Sequence, residues 1–218
     1  MKKYDTVVFD LDGTLTNPER GQILGFEYAM KKHNIKYPER SWLKKYIGPS
    51  LHLEWKKEFS LSDDEVVEMI DTYREFYNIY GWWDNEVYPG IREMLAELKK
   101  TGKRLLVATG KPEAIARKIL SRFCLDEYFD FIGGATEDKE RYLKCQILDY
   151  SLESVGADKA SAILVGDRIY DAEGARISGV DAMGVSWGHG SPDELESAGF
   201  IYIAKAPYEV VDYIKNRI

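Results

Sequence analysis

Residues 5–14 read DTVVFDLDGT and join a short apolar segment to a polar one. Its first half, residues 5–9, is short, apolar and β-branched, which is typical of a buried strand. Its second half is polar and contains Asp10 and Asp12. Because residues two apart at the end of a strand point to the same side, we expect these two carboxylates to share one site. Gly13 permits the tight turn that would bring backbone N–H groups close to an anion.

Short apolar segments like residues 5–9 recur along the chain, separated by segments with helical periodicity. We expect further strands at residues 104–109, 129–134, 161–167, 181–187 and 200–204, and helices at residues 91–100, 113–123, 140–154, 171–178 and 207–217. Strands and helices that alternate in this way are typical of a mostly parallel sheet covered by helices, with right-handed crossovers. The sequence therefore predicts an α/β fold.

Residues 16–85 interrupt this alternation, because no strand is predicted there and helices follow one another. These helices are expected at residues 21–33, 39–46, 51–59 and 63–80. Ser62 and Glu65 fit a capping box at the start of the last one. The aromatic residues of the helix at 63–80 are expected to form either the core of this segment or a surface that contacts substrate. We predict a helical domain at 16–85, inserted into a core of residues 1–15 and 86–218.

Polar residues also follow two other predicted strands. Asp167 and Asp171 lie in GDRIYD, and Thr109 and Gly110 lie in TGKP, where a hydroxyl and free N–H groups at a helix start could hold a phosphate. In open α/β sheets, ligands bind beyond the carboxyl ends of the strands. A divalent cation would relieve the repulsion among the carboxylates, and Mg²⁺ binds such oxygen ligands.

Helix capping is the alternative interpretation at these strand ends, with Asp167, Asp171 or Thr109 as capping residues. It must be invoked separately at each end, so a joint phosphate and magnesium site is favoured. The excess negative charge also calls for a lysine. Lys144, Lys139 and Lys111 are the candidates, and spacing alone does not choose among them.

The overall composition restricts the class of protein and its partners. A formal net charge of −7 over 218 residues argues against a nucleic-acid polymer as partner, although it allows a small phosphorylated metabolite. The two cysteines, Cys124 and Cys145, form no CxxC motif, and we expect both to be buried, reduced thiols. No run approaches the roughly 18 apolar residues of a membrane span, and no signal-peptide pattern is seen. We therefore expect a cytoplasmic protein without a membrane partner; its oligomeric state is not indicated.

The motifs at these strand ends resemble those of the haloacid dehalogenase superfamily. DLDGT resembles its first motif, VATGK its second and VGDRIYD its fourth. The helical insert resembles the type-one cap of that family, so the resemblance implies a Rossmann-like parallel sheet with an inserted cap domain. Segments that resemble the phosphoglycolate phosphatase and 5′-nucleotidase-like branch are YIGPSL (46–51), NEVYPGI (85–91), LDEYFDFIGGA (125–135) and VSWGHGSPDELESAGFIYI (185–203).

The resemblance also implies roles for individual residues. Asp10 would be the nucleophile and a magnesium ligand, while Asp12 would be the general acid and base and would offer its backbone carbonyl to the metal. The phosphate would be held by Thr109, Gly110, Gly13 and Lys144, which the resemblance favours over Lys139. The metal would also bind Asp167 directly and Asp171 indirectly.

The implied activity is magnesium-dependent hydrolysis of small phosphate monoesters through an aspartyl-phosphate. A strict dehalogenase is disfavoured, because in that branch the position of Asp12 is not an acid. A phosphomutase of the β-phosphoglucomutase type shares both aspartates and stays an alternative. So does a non-catalytic phosphate-binding regulatory protein.

Overall fold

The structure is a computed structural model, and it describes residues 3–136 and 140–216. The strands among these residues are β1 (Thr6–Phe9), β2 (Thr16–Asn17), β3 (Glu86–Val87), β4 (Arg104–Pro112), β5 (Phe131–Ala135), β6 (Ala162–Gly166), β7 (Asp181–Val185) and β8 (Tyr202–Ala204). The α-helices are α1 (Glu19–Lys32), α2 (Leu51–Phe59), α3 (Asp63–Tyr77), α4 (Ile91–Lys100), α5 (Glu113–Arg122), α6 (Lys144–Glu153), α7 (Ile169–Ser178), α8 (Pro192–Ser197) and α9 (Pro207–Lys215). A 3-10 helix covers Arg40–Tyr46.

Six strands form one parallel sheet in the order β5-β4-β1-β6-β7-β8, which confirms the predicted α/β fold. Strand β1 lies in the middle, and all four of its residues are buried. Phe9 pairs with Val107 of β4 on one side and with Val165 of β6 on the other. The residues that follow β1 and β6, and those at the end of β4, therefore meet at one edge of the sheet.

The chain divides into two compact units, residues 1–16 with 87–218 and residues 17–86. The first unit contains the six-stranded sheet and helices α4 to α9. Every residue of the central strands β1 and β6 is buried, because helices cover a parallel sheet on both faces. The second unit consists mainly of helices α1 to α3 and the 3-10 helix.

Aromatic side chains form the core of the helical unit. Phe26 contacts Tyr46, Trp55 and Tyr73 at ring-centroid distances of 5.2 to 6.1 Å. Tyr73 also stacks on Tyr77, and both are buried. The aromatic face of α3 is therefore mostly core, which favours the first of the two interpretations of this stripe.

Helix starts agree with the sequence where a cap is encoded locally. The backbone N–H of Glu65 donates to Ser62 Oγ over 3.3 Å, and Ser62 N–H donates to Glu65 Oε2 over 2.8 Å, so the predicted capping box is present. The helix expected at residues 140–154 instead begins at Lys144. The side chain of Gln146 accepts hydrogen bonds from the N–H groups of Tyr142 and Leu143, which ends the preceding turn there.

Three other expectations need correction. The predicted strand at 104–109 continues to Pro112, so Thr109 lies within β4 and does not cap α5. Cys124 is exposed and Cys145 is half-buried, so the expectation of two buried thiols was wrong. Helix α8 was not predicted; it is one short helix, capped by the Ser191 side chain.

No helix within residues 3–136 and 140–216 is long and apolar enough to cross a membrane.

Candidate active site

Asp10 lies directly after β1, at the carboxyl edge of the sheet. Its backbone N–H donates to Val165 O over 2.9 Å, which extends the pairing of β1 with β6 by one residue. Its side chain is 13% exposed and therefore remains accessible beyond that edge. The fold thus presents one carboxylate at the end of the fully buried strand β1.

Lys144, the first residue of α6, has its ammonium group among several acceptors. Its Nζ lies 2.9 Å from Asp10 Oδ1, 2.7 Å from Asp171 Oδ1 and 3.0 Å from Ala108 O. These contacts match the three donors of an ammonium group. Burial alone would lower the pKa of Lys144, but Asp10 and Asp171 hold it above its usual value. Gly174 makes room for the lysine, because a Cβ there would lie 2.5 Å from Lys144 Cγ.

Asp167 and Asp171 are buried carboxylates at the end of β6 and the start of α7. Asp167 accepts a 2.7 Å hydrogen bond from His189 N–H and a weak 3.4 Å one from Thr14 Oγ1. Burial, followed by the charges of Asp171 and Asp10, raises the pKa of Asp167 well above its usual range. Burial also raises the pKa of Asp171, while Lys144 opposes that rise. The negative charge at Asp167 is therefore poorly compensated.

These features fit a divalent cation. Carboxylate oxygens of Asp10, Asp167 and Asp171 all lie within 4.8 Å of one another. Oxygen-only donor sets suit hard ions such as Mg²⁺. Burial is the main cause of the raised pKa of Asp167, and a cation would compensate the repulsion from Asp171 and Asp10 that adds to it. Asp171 also accepts a 3.0 Å hydrogen bond from Arg168 N–H, so the helix-capping interpretation describes part of its surroundings.

The candidate phosphate-binding residues lie at the same edge. Thr109 is buried in β4, and its Oγ1 accepts a 3.3 Å hydrogen bond from Lys111 N–H. Gly110 is exposed, and a Cβ there would meet no atom within 4 Å. Gly13 has a φ of 82°, and a Cβ on it would lie 2.1 Å from Asp167 Oδ2. Lys139 lies outside the described residues.

The contact between Asp12 and Lys111 was not predicted from the sequence. Lys111 Nζ lies 2.7 Å from Asp12 Oδ2, and the two side chains are 5% and 15% exposed. Burial raises the pKa of Asp12, while Lys111 opposes that rise. Lys111 was one of three candidate lysines, and its position two residues after Thr109 was the available signal. The site thus has two lysines with different carboxylate partners, and Lys111 is buried while Lys144 is partly buried.

The loop after β7 was also missed as part of the site. Besides the His189 N–H bond to Asp167, Trp187 Nε1 donates to Thr14 O over 3.0 Å. A Cβ on Gly188 would lie 2.4 Å from the Asp167 side chain. The sequence signal is the pair of glycines around His189 directly after a strand. This loop therefore contacts Asp167 through a backbone N–H and through the close approach of Gly188.

Comparisons with known proteins identify the family of the chain. Residues 7–185 match the profile of the family described as haloacid dehalogenase-like hydrolase. A 5′-nucleotidase from Pseudomonas aeruginosa is 35% identical over 195 residues, which cover 89% of this chain and 88% of the relative. The tyrosine-protein kinase PtkA from Mycobacterium tuberculosis is 35% identical over 200 residues, which cover 92% of this chain and 68% of the relative.

Among solved structures, one described as a predicted phosphatase from Clostridium acetobutylicum superposes with a TM-score of 0.94. It is 36% identical, and the match covers 98% of this chain and 99% of that one. The match to the family profile extends over most of the sheet unit and all of the helical insert. The chain therefore belongs to the haloacid dehalogenase-like hydrolase family and is one of its phosphatases.

Proposed function

We propose that the chain hydrolyses small phosphate monoesters in a magnesium-dependent reaction, with Asp10 as nucleophile. The contacts of Asp10 at the end of β1 are the main support for this proposal. Asp10 is accessible at the sheet edge, is paired with Lys144 and lies within 4.8 Å of the buried Asp167 and Asp171. The site therefore combines a nucleophilic carboxylate with groups that can hold a phosphate.

In the first step, a carboxylate oxygen of Asp10 attacks phosphorus and the bond from phosphorus to the ester oxygen breaks. Asp12 gives its proton to the departing oxygen. In the second step, Asp12 takes a proton from a water molecule, the water oxygen attacks phosphorus, and the bond to Asp10 breaks to release phosphate. The covalent intermediate divides one difficult hydrolysis into two easier steps.

Other residues stabilise the charge on the phosphoryl group. Lys144 supplies an ammonium beside Asp10, and the Thr109 hydroxyl and Gly110 N–H supply further donors. Such fixed donors contribute most of the stabilisation in phosphoryl transfer. Asp10, Asp167 and the Asp12 carbonyl would hold Mg²⁺, with Asp171 beside them, and the ion when bound would neutralise phosphate charge and orient the ester.

The leaving group is proposed to be a small metabolite. The similarity to a 5′-nucleotidase over most of both chains favours nucleoside 5′-monophosphates as the first substrates to test. Phosphoglycolate and hexose phosphates complete the panel, because the sequence resembles a branch that includes phosphoglycolate phosphatases. The net charge of −7 supports a small phosphorylated partner in preference to a nucleic-acid polymer.

The test is phosphate release from this panel with Mg²⁺ and with a chelator, using Asp10→Asn as the blank. We expect one ester to stand out, with release that depends on Mg²⁺. Asp10→Asn and Asp12→Asn should each lower turnover by at least about a hundredfold. Absence of release above the blank from every ester would refute the proposal.

A further inference from the structure

Lys111 is buried, which is unusual for a lysine near the end of a strand. The residue is 8% exposed, and its Nζ lies 2.7 Å from Asp12 Oδ2. Lysine is among the residue types that are seldom buried unless they are paired. Removing an ammonium group from water is costly, and a charge-assisted hydrogen bond to a carboxylate offsets that cost. The pair with Asp12 therefore accounts for the position of this side chain.

The backbone of β4 explains how Lys111 reaches Asp12. Thr109 pairs with Gly134 of β5, whereas the next paired position joins Pro112 to Ala135. Gly110 and Lys111 therefore lie in an irregularity of the strand. Such irregularities near active sites redirect side chains. Strand β4 is also the neighbour of β1, the strand that leads to Asp12.

The neighbouring strand is adapted to this irregularity. A Cβ on Gly134 would lie 2.7 Å from Lys111 O and 2.6 Å from Glu113 Cα. The backbone around Lys111 thus approaches β5 so closely that only glycine fits there without a shift. The position of Lys111 is fixed by the packing of the sheet as well as by its ion pair.

Lys111 and Lys144 form ion pairs with different carboxylates. Lys144 Nζ contacts Asp10, Asp171 and Ala108 O. Lys111 Nζ contacts Asp12. The nucleophile and the proton-transferring carboxylate of the proposed reaction are therefore each in direct contact with a different lysine.

We propose that Lys111 is a positioning residue that holds the Asp12 carboxylate in the orientation needed for proton transfer to the leaving group. This inference rests on the proposed function. A catalytic acid must lie within about 2.6–3.2 Å of the oxygen that it protonates. A carboxylate on a short side chain can rotate away from that position, and a misplacement of about 1 Å can cost about a hundredfold in rate. The ion pair with Lys111 restricts that rotation.

The test compares two esters that differ in their need for a proton. The nitrophenolate of p-nitrophenyl phosphate leaves readily without protonation, whereas an alkoxide requires it. We expect Lys111→Met to lower kcat/KM for the best alkyl ester of the substrate panel at least about tenfold more than for p-nitrophenyl phosphate. Because both esters are measured on one preparation, the ratio does not depend on the fraction of folded protein.

Three further variants make the result specific. Lys103→Met is the matched control, because Lys103 is also buried and lies 3.9 Å from Asp5, just before the opposite end of β4. It should leave the ratio of the two esters unchanged. In Lys111→Arg, the ratio of kcat/KM for the two esters should lie closer to the wild-type value than in Lys111→Met, because arginine keeps the positive charge. In an Asp12→Asn background, Lys111→Met should not change the ratio further.

The positioning role of Lys111 would be overturned if Lys111→Met left the ratio of kcat/KM for the two esters unchanged, whether or not both values fell. The same change of ratio in Lys103→Met would also overturn it. If the wild-type protein releases no phosphate from any ester, the proposed function itself fails, which is distinguishable from an active wild type with an unaffected variant.

Discussion

The ammonium of Lys144 lies 2.9 Å from the carboxylate of Asp10, so the first residue of α6 neutralises the residue that follows β1. The same ammonium lies 2.7 Å from Asp171. One lysine thus joins two of the buried acids at the carboxyl edge of the sheet. This contact also selects Lys144 over Lys111 as the partner of Asp10, a choice that spacing in the sequence did not allow.

Replacement of Lys144 by methionine should affect both stability and activity. Removing one partner of a buried ion pair leaves uncompensated charge, so we expect the free energy of unfolding in chelator to fall by about 3 kcal/mol. Turnover should fall by at least about a hundredfold, because a fixed donor for the phosphoryl group is lost. Urea unfolding and phosphate release measure the two effects. Lys159→Met, which removes an exposed ion pair with Asp149, should change neither by a comparable amount.

Neutralising Asp167 should have opposite effects with and without metal. Asp167 is buried beside Asp171 and Asp10, so Asp167→Asn removes a repulsive charge. We expect its Tm in chelator to exceed that of the wild type by about 2–4 °C, corresponding to about 1 kcal/mol in a chain of this size. Mg²⁺ should then raise the Tm of the wild type but not that of the variant. Glu196→Gln, an exposed carboxylate of α8, is the control and should behave as the wild type. A wild type whose Tm does not respond to Mg²⁺ would contradict the assignment of the metal site.

The loop that follows β7 should influence metal binding without contributing a carboxylate. A Cβ at Gly188 would lie 2.4 Å from Asp167, so Gly188→Ala must displace that side chain or the loop. We expect the affinity for Mg²⁺, measured by calorimetric titration, to fall by about tenfold to a hundredfold, as is typical when groups that orient metal ligands are changed. Ser186→Ala, at an exposed position in the same segment, should bind Mg²⁺ as the wild type does. Unchanged affinity in Gly188→Ala would show that the loop does not orient Asp167.

Asp130 should make the stability of the sheet unit depend on pH. It accepts a 2.8 Å hydrogen bond from Leu105 N–H and contacts Lys99 Nζ at 3.0 Å. Burial would raise the pKa of Asp130, but these two contacts lower it overall. Because the folded-state pKa is the lower one, the stabilisation is present above the unfolded pKa of about 3.9 and is lost as the pH falls through the folded-state value.

Urea unfolding of the wild type and Asp130→Asn between pH 7 and about pH 3 tests this expectation. The variant should be less stable at pH 7, by no more than about 1 kcal/mol because Asp130 is partly exposed. The difference between the two proteins should shrink as the pH falls below about 3.9. A difference that stays constant over the whole range would mean that the charge of Asp130 is not responsible.

The features that the sequence predicted are those encoded within a few residues. The alternation of apolar strands and amphipathic helices was enough to predict the parallel sheet, and Ser62 with Glu65 was enough to predict the start of α3. The carboxylates at the ends of β1 and β6 were also predicted to meet, because parallel strands place their carboxyl ends at one edge.

The features that were missed depend on contacts distant in sequence. Lys111 pairs with Asp12 only because β4 neighbours β1 and is irregular beside β5. Gly188 meets Asp167 only because the loop after β7 folds back towards the end of β6. A periodic pattern does not contain such information. The start of α6 was also misplaced, since the helical periodicity of residues 140–154 does not show that Gln146 caps the preceding turn.

Trapping a phosphoryl group on Asp10 would test its role as the nucleophile. In Asp12→Asn, p-nitrophenyl phosphate should still phosphorylate the enzyme, because its leaving group needs no proton, whereas hydrolysis of the intermediate lacks its base. We expect a burst of nitrophenol equal to the enzyme concentration and, after acid quenching, a phosphoryl group on Asp10 by peptide mass spectrometry. Steady release without a covalent species, or a phosphoryl group on another residue, would contradict Asp10 as the nucleophile.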